Sequence, residues 1–279
     1  MAEKKIVFFD IDGTIWDWEG KIPQSAKDAV KKLVENGHIP IICSGRAKGH
    51  IRDKELLKMG FQGTIAACGG YVEIDGKVLY NKLVNPEVIR KVVELSVRCN
   101  VPVVLEGPVK HWISRHGFEK DGFVDRMYEV MGEDAITMDR FDASMNANKF
   151  SGDVITGSDY ETFKAGLTEY FDFIEHGLTP DVNQRPDKDL NEIQAVFEAV
   201  IPGISKAEGI RRICEYLGAD PSEAYAVGDS ANDIEMIQCV GTGIAMGNGS
   251  KSIKEIADYV TDDIHQDGLY NAMKHFGLI

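Results

Sequence analysis

The sequence predicts an α/β fold, a doubly wound parallel sheet interrupted by an inserted α+β segment. Three observations predict it. Short, continuously apolar strands stop abruptly at polar residues, strands alternate with amphipathic helices at both ends of the chain, and that alternation lapses through the middle. Continuous apolar runs of this length suit strands covered on both faces, as in a parallel sheet with crossover helices above and below it. The alternation supplies those crossovers, so the expected core is Rossmann-like.

The first strand is Ile6–Phe9, which runs into Asp10. A helix over 25–36 follows, with Ala26, Ala29, Val30, Leu33 and Val34 on one face and Gly37 placed to end it. Residues 39–43 form a second apolar strand that opens into Ser44-Gly45-Arg46; a helix then runs to about 59, and 64–68 reads as a third strand. At Tyr71 the pattern changes: Val72-Glu73-Ile74 and Val78-Leu79-Tyr80 flank Asp75-Gly76, the signature of a hairpin. Beyond it, helical stretches over 86–98 and 160–171 mix with strands over 101–105 and 112–114. The α/β rhythm returns with a helix over 205–217, a strand over 224–227, a helix over 231–238, a strand over 243–246 and a helix over 251–258. Residues 1–82 and 192–279 are therefore expected to form the core, and 83–191 the inserted domain.

Composition narrows the function. The chain has 279 residues and a formal charge of −14, the opposite of the basic footprint of a nucleic-acid binder. With 43 % hydrophobic residues it can bury a core, and its 28 glycines and 9 prolines fall well short of low complexity. Cys43, Cys68, Cys99, Cys214 and Cys239 are scattered with no C-x-x-C pair, which fits buried thiols in a reducing compartment rather than a disulfide framework or zinc site. The apolar run at Ile6–Phe9 is shorter than the ~7–15 residues of a signal-peptide core, and no stretch approaches the ~18 of a membrane span. A soluble, cytoplasmic protein without nucleic-acid or membrane partners is expected.

Four clusters lie where an α/β sheet places its ligands, just past the carboxyl ends of strands. In Asp10-Ile11-Asp12-Gly13-Thr14, two carboxylates two residues apart project to one side. Such a pair can divide labour as nucleophile and acid, because neighbouring like charges separate their pKa values. A calcium loop is a poor fit, since its glycine belongs at the sixth position and a helix should precede it. Ser44-Gly45 offers a hydroxyl and backbone N–H groups for an anion, although the same dipeptide serves as a plain turn. Lys206 starts a helix, where its charge opposes the dipole, so it is either a solvated surface lysine or the partner of an anion. Gly228-Asp229-Ser230-Ala231-Asn232-Asp233 has the oxygen donors that Mg²⁺ prefers; helix capping accounts for one of them and not for the set. Gly241-Thr242-Gly243 and Gly247-Asn248-Gly249 are poor dinucleotide loops, because Met246 stands where the third glycine should be.

D-x-D-G-T, the hydroxyl after the second strand, the helix-borne lysine and G-D-x-x-N-D together resemble the haloacid dehalogenase-like superfamily of aspartate-nucleophile phosphatases. The long insertion, with Ala245-Met246-Gly247 and Ala257-Asp258-Tyr259-Val260-Thr261 near the end, looks like its Cof-type subgroup with a C2 cap, close to sugar-phosphate phosphatases. One departure is Cys68-Gly69-Gly70, where such proteins often carry Asn-Gly after the third strand; a thiol cannot replace the amide's hydrogen bonds.

The resemblance implies that Asp10 attacks phosphorus and that Asp12 serves as acid and then base. It implies Mg²⁺ held by Asp10, the Asp12 backbone carbonyl and Asp229, with Asp233 behind them. Thr14, Ser44, Gly45, Lys206 and Asn232 would bind the phosphate of a small phosphorylated metabolite. A cation is needed on physical grounds, since two unit charges ~4 Å apart repel by ~4 kcal/mol at an effective dielectric of 20. In the insertion, Lys110, Trp112, Ser114 and His116 would share one strand face, either reading a sugar or, with Trp112 packed inward, simply covering the domain; Glu106, Asp121 and Arg126 are further candidates. Two rival functions use similar groups. A phosphomutase would carry a small helical cap soon after Thr14, where only about ten residues precede the first helix. A phospho-accepting receiver module would need its aspartate at the third strand, where Cys68 stands.

Overall fold

A computed structural model describes residues 4–117, 122–177 and 193–279. In chain order the first elements are β1 (Ile6–Phe9), α1 (Gln24–Glu35), β2 (Ile39–Cys43), α2 (Lys54–Lys58), β3 (Gly63–Ala66), β4 (Tyr71–Ile74) and β5 (Lys77–Asn81). The insertion contributes α3 (Pro86–Cys99), β6 (Val103–Glu106), β7 (His111–Ser114), α4 (Gly122–Met131), β8 (Ala135–Met138), β9 (Lys149–Ile155), α5 (Tyr160–Ala165), β10 (Asp172–Gly177) and β11 (Ile193–Val200). The chain then returns through α6 (Lys206–Leu217), β12 (Tyr225–Gly228), α7 (Ile234–Cys239), β13 (Thr242–Ala245), α8 (Lys251–Ile256), β14 (Tyr259–Val260) and α9 (Gly268–His275).

Two units result, one from Met1–Arg46, Asp53–Asn81 and Ser205–Ile279, the other from Ala47–Arg52 and Lys82–Ile204. The first is built on an eight-stranded sheet of order β14-β13-β12-β1-β2-β3-β4-β5. It is parallel from β14 to β3 and antiparallel through the edge hairpin β4–β5. Every residue of β1, β2 and β3 is buried, as a sheet covered on both faces requires. The register sets Phe9 beside both Val227 and Ile42, so the loops after β1, β2 and β12 leave one edge together. The chain order reverses there, the position at which open α/β sheets bind ligands. On α1, Ala26, Ala29, Val30 and Leu33 are buried as expected, but Val34 is 39 % exposed because it has rotated off the face.

The second unit is a six-stranded sheet of order β10-β11-β9-β6-β7-β8, antiparallel except between β7 and β8. Its main core gathers Val92, Leu105, Trp112, Phe163 and Phe197 around Phe150, with the Phe171 ring edge-on at 4.9 Å from that of Phe150. Val104, Ile113, Val124, Met127 and Met131 form a second cluster.

The structure departs from the sequence expectation at the domain seams. The second seam falls at 204/205 instead of 191/192, because β11 pairs with β9 and β10, its Ile193, Phe197 and Ala199 buried at alternating positions. Residues 47–52 also belong to this unit, where Arg52 Nη2 donates to the Val109 carbonyl at 2.6 Å and Nη1 pairs with Asp134 at 2.8 Å. Of the two readings of β7, the one with Trp112 packed inward holds. Trp112 is 2 % exposed within the main core, and Ser114 Oγ accepts from Val103 N at 3.0 Å. Lys110 is exposed, whereas Glu106 is buried 3.8 Å from Lys149 Nζ. Asp121 lies outside the described residues, as does the Arg126 side chain. Among the described residues no helix is long and apolar enough to cross a membrane.

Candidate active site

Asp10 follows directly from β1 and Asp229 from β12, so strand register alone makes them neighbours. Asp233 joins them from the turn leading into α7. One oxygen from each of Asp10, Asp229 and Asp233 lies within 4.8 Å of the other two, and all three residues are buried. Gly13 makes the approach possible. Its φ is +78°, and a Cβ there would sit 2.4 Å from Asp229 Oδ2.

Lys206, the first residue of α6, closes the cluster. It is 3 % exposed, and its Nζ donates to Asp10 Oδ1 at 2.7 Å and Asp233 Oδ1 at 2.5 Å. The opposed helix dipole is therefore outweighed by two carboxylates. Burial works against the ammonium charge, but Asp10 and then Asp233 overcome it and hold the pKa well above the usual lysine value. Ser205 caps the helix by accepting from Glu208 N at 3.2 Å. Gly69 fits against that cap, where a Cβ would meet the Ser205 carbonyl at 2.1 Å.

One ammonium does not balance three acids. Burial first, then Asp233, pushes the Asp10 carboxyl up to about 7 despite Lys206. Burial, Asp10 and Asp233 push Asp229 up to about 9. Asp229 Oδ1 is buried with no hydrogen-bond partner among the described residues. Asp233 is already committed, with Oδ1 on Lys206 and Oδ2 accepting from Asp229 N at 3.0 Å and Ser230 N at 3.1 Å. Surplus buried negative charge, all-oxygen donors and an orphaned carboxylate oxygen fit a hard divalent cation such as Mg²⁺. Asp10 and Asp229 could ligate it while Asp233 braces the lysine and the loop.

The remaining expected residues divide by position. Thr14 is fully buried, its Oγ1 without a partner among the described residues, and Ser44, 1 % exposed, accepts from Arg46 N at 3.2 Å. A Cβ on Gly45 would lie 3.5 Å from Cys68 Sγ and 3.9 Å from Asn232 Nδ2, which places those three side by side. Asn232 itself is exposed, its Oδ1 taking Ser230 Oγ at 2.8 Å. Asp12 is gripped by an arginine: Arg46 Nε donates to its Oδ2 at 2.7 Å and Nη2 to its Oδ1 at 2.8 Å. Arg46 and Trp16, which also bonds Asp12, escaped the sequence reading; the cation two residues after Ser44 was the available signal for the first. Asn248 was missed too. Its Nδ2 donates to the Gly13 carbonyl at 2.7 Å and its Oδ1 accepts from Ile264 N at 3.0 Å, so the Gly-Asn-Gly loop braces the first turn of the site.

A family model of haloacid dehalogenase-like hydrolases matches residues 7–273. The chain is a haloacid dehalogenase-like hydrolase. This hydrolase is 31 % identical over 280 residues to the Bacillus subtilis protein named "Putative phosphatase YkrA", covering 99 % of each chain. It is similar to the solved structure of BT1666 from Bacteroides thetaiotaomicron, a phosphatase of the haloalkanoate enzyme superfamily, at 26 % identity and a TM-score of 0.78, covering 99 % of this chain and 96 % of that one. The subclass IIB sugar phosphatase BT4131 shares the fold at 24 % identity and a TM-score of 0.77, over 99 % of this chain and 100 % of that one. The mixed sheet with an inserted second unit is thus the family's architecture.

Proposed function

We propose that this hydrolase is a Mg²⁺-dependent, Cof-type phosphatase that cleaves small phosphorylated metabolites, sugar phosphates above all, through an aspartyl-phosphate on Asp10. The observation that carries this reading is the buried trio Asp10, Asp229 and Asp233, with Lys206 as the cation bonded to it among the described residues. Structural packing gives no reason to bury surplus carboxylates, whereas a cation-assisted attack on a phosphate dianion requires them. The sugar-phosphate preference draws on the likeness to BT4131 and to phosphatases of this family. None of the five cysteines forms a disulfide, which supports a reducing, cytoplasmic setting.

Asp10, Asp229 and the Asp12 backbone carbonyl would hold Mg²⁺, whose chemistry there is to offset the charge of nucleophile and phosphate. In the first half-reaction an Asp10 oxygen bonds to phosphorus as the ester P–O bond breaks, and Asp12 protonates the leaving oxygen. In the second, water bonds to phosphorus, gives a proton to Asp12 and releases phosphate, the electron pair returning to Asp10. Lys206, Thr14, Ser44, the Gly45 backbone and Asn232 would hold the non-bridging oxygens. Phosphate release from a panel of sugar phosphates, nucleotides and other phosphoesters tests the reading. Turnover that depends on Mg²⁺ and disappears with EDTA is expected; full activity in EDTA overturns it.

A further inference from the structure

We propose that Arg46, seated against Trp16, is a positioning residue that fixes the Asp12 carboxylate as the base for hydrolysis of phosphorylated Asp10. The proposal rests on the acid–base role given to Asp12 above. Three donors converge on one carboxylate. Arg46 supplies Nε to Oδ2 at 2.7 Å and Nη2 to Oδ1 at 2.8 Å, and Trp16 Nε1 reaches Oδ1 at 3.0 Å. The guanidinium lies over the indole, 5.0 Å from the ring centroid.

Both donors are themselves held. Trp16 is 8 % exposed, forms a β-bridge with Asp12, donates its N–H to the Ile11 carbonyl at 3.2 Å and accepts from Gly13 N at 2.9 Å. The Arg46 backbone is held on both sides, donating to Ser44 Oγ at 3.2 Å and accepting from Ala67 N at 2.7 Å. The Arg46 and Asp12 side chains are 25 % and 36 % exposed, so their pairing contributes little to stability. What a fork-shaped, two-bond contact does provide is orientation, which a lysine in its place would not. A fixed orientation suits the second half-reaction, in which water oxygen bonds to phosphorus, its proton passes to the Asp12 carboxylate, and the Asp10–phosphorus bond breaks towards Asp10.

p-Nitrophenyl phosphate isolates that half, because its leaving phenolate needs no proton and Asp10 can be loaded without Asp12. The burst of nitrophenolate, the steady-state rate and the mass of the phosphorylated protein are measured for wild type, Arg46→Gln, Arg46→Lys, Trp16→Phe and Asp12→Asn. Arg46→Gln should keep its burst rate within about threefold while the steady state falls at least about tenfold and phosphoenzyme accumulates. Arg46→Lys should fall between, and Trp16→Phe, which keeps the aromatic packing but loses the N–H, should show a smaller accumulation. A burst and steady state that decline together without phosphoenzyme would overturn the proposal and point to Arg46 touching the phosphate itself. If Asp12→Asn accumulates phosphoenzyme and Arg46→Gln does not, the positioning role alone falls. Should Asp12→Asn accumulate none, the acid–base reading of Asp12 fails and takes the proposal with it.

Discussion

On the proposed reading Asp10 serves catalysis at a cost in stability, and substitution separates the two. A carboxyl held near 7 by burial is unfavourable to ionise in the metal-free protein. Asp10→Asn is therefore expected to abolish phosphate release while leaving the metal-free protein at least as stable at about pH 8, read as the urea midpoint. Lys206→Met acts in the other direction. It strands Asp10 and Asp233, and breaking such a buried pair costs about 3–5 kcal/mol. Gly13→Ala places a methyl against Asp229 at a left-handed φ. A loss of Mg²⁺ affinity of about tenfold or more, measured by calorimetry, is expected, together with about 1–3 kcal/mol of backbone strain.

At the scale of elements, the site is an outcome of three strand ends and one helix start. Ser205 caps α6 and so fixes where Lys206 begins. Ser205→Ala should lower stability by about 1 kcal/mol in chemical denaturation and slow turnover by loosening Lys206. β1 and β2 were legible because burial on both faces leaves an unbroken apolar run, and Asp10, Ser44 and Asp229 were legible because they interrupt or follow such runs. β11 was not: Gln194, Glu198 and its half-buried positions dilute the alternation. β3 was read too long, since Ala67, Cys68 and Gly69 turn at positive φ, a conformation that the small side chains of Ala67 and Cys68 do not announce. Arg46 could be seen as a charge but not as a partner of Asp12, 34 positions away.

For the whole molecule, on the proposed reading, pH and metal act on the same groups. Asp10 at about 7 and Asp229 at about 9 both stand above their ordinary 3.8, so the folded chain binds more protons than the unfolded one between those limits. Their contribution to metal-free stability is full below about pH 4 and is lost as pH rises towards about 9. Mg²⁺ bound there would compete with those protons, so the rise in melting temperature on adding it should be larger near about pH 9 than near about pH 6; an equal shift at both would contradict the charge balance described. The two units have separate cores. Phe150→Ala should cost the second unit about 3–5 kcal/mol, followed through Trp112 fluorescence, and leave the Mg²⁺-induced shift of the first unit in place. The amino-acid order by itself determined the strand and helix rhythm, the acidic strand ends and the family, because burial periodicity and local turn chemistry are written in neighbouring residues. Only the folded chain decided that Lys206 is buried between Asp10 and Asp233, that Arg46 grips Asp12 and that Trp112 faces inward, because those outcomes depend on contacts between residues far apart in sequence, which no local pattern encodes.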